Sequence, residues 1–171
     1  LKLLLEISYS KLERETWRGF PHTTKRLNAV QEIDVNTVTF LPYLGTKMLL
    51  VTSDVQNVVN GNVYRPLIAL VGVKFSEKKV PGWFTFVSDG KRYWCEPVPI
   101  ETSNVRVRCQ CGDFNYRFSW YDHRNKALYG QPFKYQRKTD WYPPANPLEV
   151  PGVCKHIGRL ARFLKTSGLF R

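Results

Sequence analysis

Apolar and β-branched residues through the middle of the chain recur at every second position, the period of a strand with one buried face. Ile33, Val35, Thr37 and Thr39 alternate with Asp34, Asn36, Val38 and Phe40, and Leu41-Pro42 closes the run, which predicts a strand. Two further apolar, β-branched stretches, Lys47 to Val55 and Val63 to Phe75, flank Asn60-Gly61. That dipeptide suits a type I′ turn, which needs positive φ at both central residues, so it predicts a two-residue hairpin. Pro66 predicts a bulge or an edge position in the second stretch. Trp83 to Val87 and Arg92 to Cys95 flank Asp89-Gly90, a second hairpin signal of the same kind. Val105, Val107, Cys109 and Cys111 then alternate with Arg106, Arg108 and Gln110, so one strand face carries two valines followed by two thiols and the other is basic.

The period is lost or changes toward both ends. Residues 1–30 mix leucines, aromatics and charges, and Gly19-Phe20-Pro21 interrupts any helix running through Lys11 to Arg18, which predicts an arm or a short helix. The segment 112–153 gathers aromatics and turn formers, among them Phe114, Tyr116, Phe118, Trp120-Tyr121, Gly130, Trp141-Tyr142, Pro143-Pro144, Pro147 and Pro151. It reads as a long, partly irregular excursion packed by its aromatics. After Gly152, Ile157, Leu160, Ala161 and Leu164 fall at i, i+3, i+4 and i+7 of an amphipathic helix that Gly168 ends. The prediction is an α+β fold, mainly antiparallel β with hairpins, a long aromatic-rich loop and a C-terminal amphipathic helix. Its divisions are 1–30 as the arm or short helix, 31–100 as the antiparallel β region, and 101–171 as a region carrying the 112–153 insertion.

Composition adds a partner class. A 171-residue chain with 43% apolar and 14% aromatic residues can bury a core without staples. Its 26 Lys and Arg against 14 Asp and Glu give +12, which points to nucleic acid or an acidic protein surface. The excess is uneven, since residues 101–171 carry 13 basic and 5 acidic groups, a net +8. Apolar runs of only a few residues predict no membrane-spanning helix. The start at Leu1 predicts a processed or partial product, and Leu3-Leu4-Leu5 followed by Glu6 is too short for a signal-peptide core, so an intracellular origin is expected.

The cysteines narrow the chemistry. Cys109 and Cys111 form C-x-C, and after a gap of 42 residues Cys154-Lys155-His156 forms C-x-H at the start of the predicted helix. Three thiols and one imidazole make a tetrahedral zinc set, and four protein ligands leave no position for a reacting water. Other readings of these residues are buried free thiols with a helix-start histidine, a disulfide, or a nucleophilic Cys-His pair. A C-x-C pair within one strand lacks bridge geometry, and nothing near His22 or His123 suggests an activated thiol. Cys95, in Tyr93-Trp94-Cys95, reads as a core thiol.

C-x-C, a gap and C-x-H leading into an apolar-periodic helix resembles the SWIM zinc-binding motif. Cys109-Gln110-Cys111-Gly112-Asp113-Phe114 places an aromatic three residues after the second thiol, and Gly152-Val153-Cys154-Lys155-His156-Ile157 runs into Leu160 and Leu164, as in that family. The resemblance covers roughly residues 105–165 and implies Cys109, Cys111, Cys154 and His156 as zinc ligands that tie the helix to the strand. The gap is longer than in the compact form of the motif and leaves room for an insertion with its own role.

No grouped carboxylates, G-x-x-x-x-G-K-[ST] or G-x-G-x-x-G occur, so an enzyme is not expected. Aromatic and basic residues interleave at Tyr116-Arg117-Phe118-Ser119-Trp120 and again at Phe133-Lys134-Tyr135-Gln136-Arg137-Lys138. Arg117, Trp120, Lys134, Arg137 and Lys138, with Arg159 and Arg162 on the helix, are candidate contacts for bases and phosphates or for a protein neighbour. Leu41-Pro42-Tyr43-Leu44-Gly45-Thr46-Lys47, Asp113-Phe114-Asn115-Tyr116-Arg117-Phe118 and Asn146-Pro147 ahead of Gly152-Val153-Cys154-Lys155-His156 resemble segments of tailed-bacteriophage virion proteins. That resemblance implies a non-enzymatic component of a phage particle, at the capsid, neck, tail or baseplate, with other virion subunits or copies of itself as partners, and no membrane or small-molecule substrate. The alternative is a SWIM-type nucleic-acid-binding module that meets DNA through its basic C-terminal region.

Overall fold

The alternating segments pair into two antiparallel sheets in the computed structural model, which describes residues 7–22, 33–134, 136–141 and 143–171. The expectations for Leu3-Leu4-Leu5-Glu6, the rest of 1–6, 23–32, Tyr135 and Tyr142 lie outside the described residues. The larger sheet runs in the order β1 (Ile33–Tyr43), β2 (Met48–Asn57), β4 (Leu67–Val71) and β8 (Val105–Arg108), with β3 (Val63–Tyr64) also paired to β2. In the smaller, β7 (Lys91–Cys95) lies between β5 (Phe75–Ser76) and β6 (Phe84–Ser88). The helices among the described residues are α1 (Tyr9–Gly19), α2 (Gly112–Arg117), α3 (Ser119–Arg124) and α4 (Lys155–Thr166). The fold is α+β, as the periodicities predict.

Two central strands are buried without interruption, at Leu49-Leu50-Val51 and Ile68-Ala69-Leu70, as expected for a sheet covered on both faces. The α4 helix packs across β1, β2 and β4, and its Ile157, Leu160, Ala161 and Leu164 join Leu49, Val51, Ile68 and Leu70 in one core. Gly168, at φ 84, turns the chain so that the N–H groups of Leu169 and Phe170 both reach the Leu164 carbonyl at 3.1 Å. The outer side of β8 is also covered. The N–H of Val105 donates to Ile7 O at 3.0 Å, and that of Val107 to Ala127 O at 2.7 Å.

Several turns depart from the sequence expectation. In β1 the register against β2 shifts between Val35 and Thr37, which makes Asn36 an extra residue. Beyond it Val38 and Phe40 pack on the core while Thr37 and Thr39 are exposed, the reverse of an unbroken alternation from Ile33 to Thr39. The strand also continues through Pro42, opposite Leu49, because an edge strand can spare one N–H. Asp89-Gly90 has positive φ at both residues, 47 and 73, and forms the predicted two-residue turn. Asn60-Gly61 does not. Only Gly61 is at positive φ, and the loop spans 58–61, with the side chains of Asn57 and Asn60 accepting from the N–H groups of Val59 and Asn62. Pro66 interrupts the ladder without a bulge, since Val55 opposite Tyr64 and Thr52 opposite Leu67 keep a single register.

At the N-terminal end the short helix is the outcome: Ser8 caps α1 by accepting from the Lys11 N–H at 3.2 Å. The 112–153 segment opens with α2 and α3 and is irregular only beyond Arg124, because Phe114 and Phe118 turn inward at helical spacing.

An aromatic group joins the two sheets, with Phe40 5.5 Å from Phe84 and 5.3 Å from Phe86, and Phe86 5.7 Å from Tyr93. Phe86→Ala is expected to cost about 3–5 kcal/mol of unfolding free energy. The check is a lower denaturant midpoint at unchanged slope, and a loss below about 1 kcal/mol would show that Phe86 does not couple the sheets.

Candidate metal centre

The inward alternation of Val105 and Val107 runs past the end of β8, so Cys109 and Cys111 are buried while Gln110 between them is exposed. Gln110 is pinned on both sides, its Oε1 accepting from the Arg65 N–H at 3.3 Å and its carbonyl from Asn115 Nδ2 at 3.3 Å. Cys111 is the N-cap of α2, and its Sγ accepts from the Phe114 N–H at 3.3 Å. The aromatic three residues after the second thiol thus supplies both a core side chain and an amide to that sulfur.

The second half of the site is positioned by polar groups inside the core. Asn146 Nδ2 donates to the carbonyls of Arg117 and Val150, 2.8 Å each, and shapes the turn before Gly152. The Gly152 N–H donates to Asp122 Oδ1 at 2.7 Å, and the Val153 N–H to Thr16 Oγ1 at 2.9 Å. Thr16 in turn donates to Leu12 O at 2.8 Å, so α1 and α3 grip the irregular stretch that delivers Cys154. Gly152 is obligatory there because an added Cβ would lie 2.5 Å from Thr16 Oγ1 and 2.6 Å from the Phe118 ring. Cys154 then caps α4 without a side-chain cap bond, its sulfur turned to the cluster, and His156 follows in the first helical turn.

The donor atoms of Cys109, Cys111, Cys154 and His156 all lie within 4.8 Å of one another, and all four residues are buried. His156 Nδ1 is 3.8 Å from Cys109 Sγ and 3.9 Å from Cys154 Sγ. Donors bound at zinc distances around a tetrahedral centre lie roughly 3.5–3.8 Å apart, so the spacing fits a metal ion with little adjustment. The ring of His156 lies on Tyr64, centroids 4.3 Å apart, while its Nε2 is buried without a hydrogen-bond partner among the described residues. Cys111 accepts hydrogen bonds from Cys109, then Cys154, and its thiol is held well below the usual range. Cys109, whose thiol is hydrogen-bonded to Cys111, is pushed up to about 12, and burial first of all raises Cys154. Without a cation the three sulfurs therefore favour one thiolate. A divalent ion is what lets all three ionise together. The cluster can hold a metal ion.

The remaining residues fall as follows. Cys95 is buried in β7, pushed up to about 12 by burial, and takes no part in the cluster. His22 and His123 are exposed. Trp120 and Lys134 are brought together, the ammonium 5.6 Å from the ring centroid. Arg117 turns instead to Asp113, at 2.9 Å, and to the Phe20 ring, at 5.2 Å. Arg137 is 4.0 Å from Asp140 in the exposed stretch that also holds Lys138, whereas Arg159 and Arg162 are on α4. Sequence reading missed Thr16, Tyr64 and Asp122. Thr16 is 137 residues from Val153, and no local pattern marks such a partner.

Compared with known proteins, the chain matches no family model, no curated protein and no solved structure. The donor geometry alone carries the site.

Burial pushes the Asp122 carboxyl well above its usual range, against one backbone hydrogen bond from Gly152. Its contribution to stability is therefore full below the unfolded carboxylate value, near pH 4, and is lost as pH rises through the higher folded value. Asp122→Asn keeps an acceptor for Gly152 and should be more stable relative to wild type at pH 7.5 than at pH 5. Chemical denaturation of both proteins across that range checks it, and a difference independent of pH contradicts it. Gly152→Ala is expected to lose about 1–3 kcal/mol through the clash with Thr16 and Phe118, measured the same way.

Proposed function

We propose that the Cys109, Cys111, Cys154 and His156 cluster holds a structural zinc and that the chain is a non-enzymatic assembly component. The observation that carries this reading is closure of the donor set: four donors, all buried, are enough to complete a tetrahedral shell. Thiolates with one imidazole suit zinc among the common ions. The C-x-C and C-x-H pattern, with α4 following, supports a SWIM-like site. Large apolar side chains left outside the core support docking: Trp141 is 90% exposed, and Val58 and Val59 stand out at the tip of the β2–β3 loop. The virion resemblance in sequence supports a place in a tailed-phage particle, at the capsid, neck, tail or baseplate, against other subunits or copies of itself. The pairing of Trp120 with Lys134 in the basic C-terminal region favours a second reading, a SWIM-type module binding DNA.

Mass spectrometry of the purified chain should find about one zinc per molecule. Cys109→Ser combined with Cys111→Ser, and separately Cys154→Ser, should lose both the metal and cooperative unfolding. Variants that keep metal and native stability would sink the ligand assignment. Sedimentation that shows stable self-association or capture by particle subunits supports assembly. Single-stranded DNA affinity that falls steeply with salt supports the second reading instead.

A further inference from the structure

Between α1 and α4 lies a cleft of about 140 Å³ where Tyr9 and Glu13 face Lys155, Arg162 and Lys165. Gly158 lies on the same stripe of α4 and contributes no side chain to fill it. The Tyr9 side chain is fully buried, and its hydroxyl has no hydrogen-bond partner among the described residues. Tyr9 itself lines the cleft, together with Glu13, Cys154 and Arg162. The Tyr9 phenol carries an O–H donor. A buried donor without an acceptor among the described residues leaves that hydroxyl for a bound group to satisfy.

Charge identifies the acceptor. Lys165 is 3.5 Å from Glu13, while Lys155 and Arg162 take no ion pair among the described residues. Three cations against one carboxylate leave an excess of two positive charges, which a phosphate dianion matches. Arg162 offers a planar fork for two phosphate oxygens and the lysines act as point charges. We propose that this cleft is a phosphate-binding site, in which the group accepts a hydrogen bond from the Tyr9 hydroxyl and is neutralised by Lys155, Arg162 and Lys165. Trp17, at the same cleft, gives the remainder of a phosphate ester an aromatic surface. This site goes beyond the structural metal and does not depend on which ion that is.

The test titrates the full, metal-replete chain with inorganic phosphate at fixed ionic strength, with chloride as the exchanged ion, following backbone amide shifts by NMR. Saturable shifts confined to 9–17 and 155–165 are expected. Tyr9→Phe and Arg162→Ala should each weaken binding about tenfold, and Glu13→Gln should tighten it. Metal content and circular dichroism are measured for every variant; Arg162 is exposed, so its variant keeps the test readable if Tyr9→Phe folds poorly. A single-stranded oligonucleotide that competes with phosphate for the same residues identifies the source as nucleic-acid phosphate, and a mononucleotide that competes while the oligonucleotide does not identifies a free ester. Shifts that never saturate, or that are equal in Tyr9→Phe and Arg162→Ala, mean an adventitious ion only and overturn the site. Oligonucleotide binding elsewhere, with no response to inorganic phosphate, overturns it as well.

Discussion

Three buried sulfurs and one imidazole nitrogen converge from the end of a strand and the start of a helix, 42 intervening residues apart. Buried thiols packed this closely cannot all ionise unaided, and neutral they offer each other only weak hydrogen bonds. The cluster thus lies where β8 has ended and α4 begins, and it could hold a cation that balances the sulfurs. Much of the surrounding architecture serves this meeting point. Covering strands and loops bury the four residues, and Tyr64 packs at a tilt of 31° on the histidine ring.

The delivery of Cys154 depends on a second, purely polar device. Thr16, Asp122 and Asn146 are each buried and each grip a backbone group of the 146–153 stretch or its neighbours. Irregular backbone in a core leaves its N–H and C=O groups without ladder partners, and these three side chains supply them. The same need explains why a carboxyl is tolerated at Asp122 without an ion pair among the described residues. Its value lies in the geometry of one amide rather than in an ion pair.

Much of this was legible in the sequence, and the failures have physical causes. Period-2 alternation located the strands, period-3.6 spacing located α4, and the paired C-x-C and C-x-H named all four members of the cluster. Asn36 shows the limit: one extra residue reverses a strand's faces, and nothing in Asp34-Val35-Asn36-Thr37 announces it. Asn60-Gly61 shows another, since neighbouring asparagine side chains supplied an alternative turn. Tyr9, Thr16, Tyr64 and Asp122 could not be singled out because their roles arise only from tertiary contact.

The hydrogen bond from Val153 to Thr16 also sets an order of events in time. Its partners are separated by 137 residues, so α1 is made long before the segment it must hold. During synthesis at the ribosome the β2–β4 pairing is available early, as a local contact, whereas the grip on Gly152-Val153 has to wait for nearly the whole chain. Cys109 and Cys111 consequently spend that interval without their two partners, exposed to whatever metal or oxidant the surroundings offer. The cluster is therefore completed late, ahead only of the C-terminal stretch whose Leu169 and Arg171 pair with Val98 and Ile100.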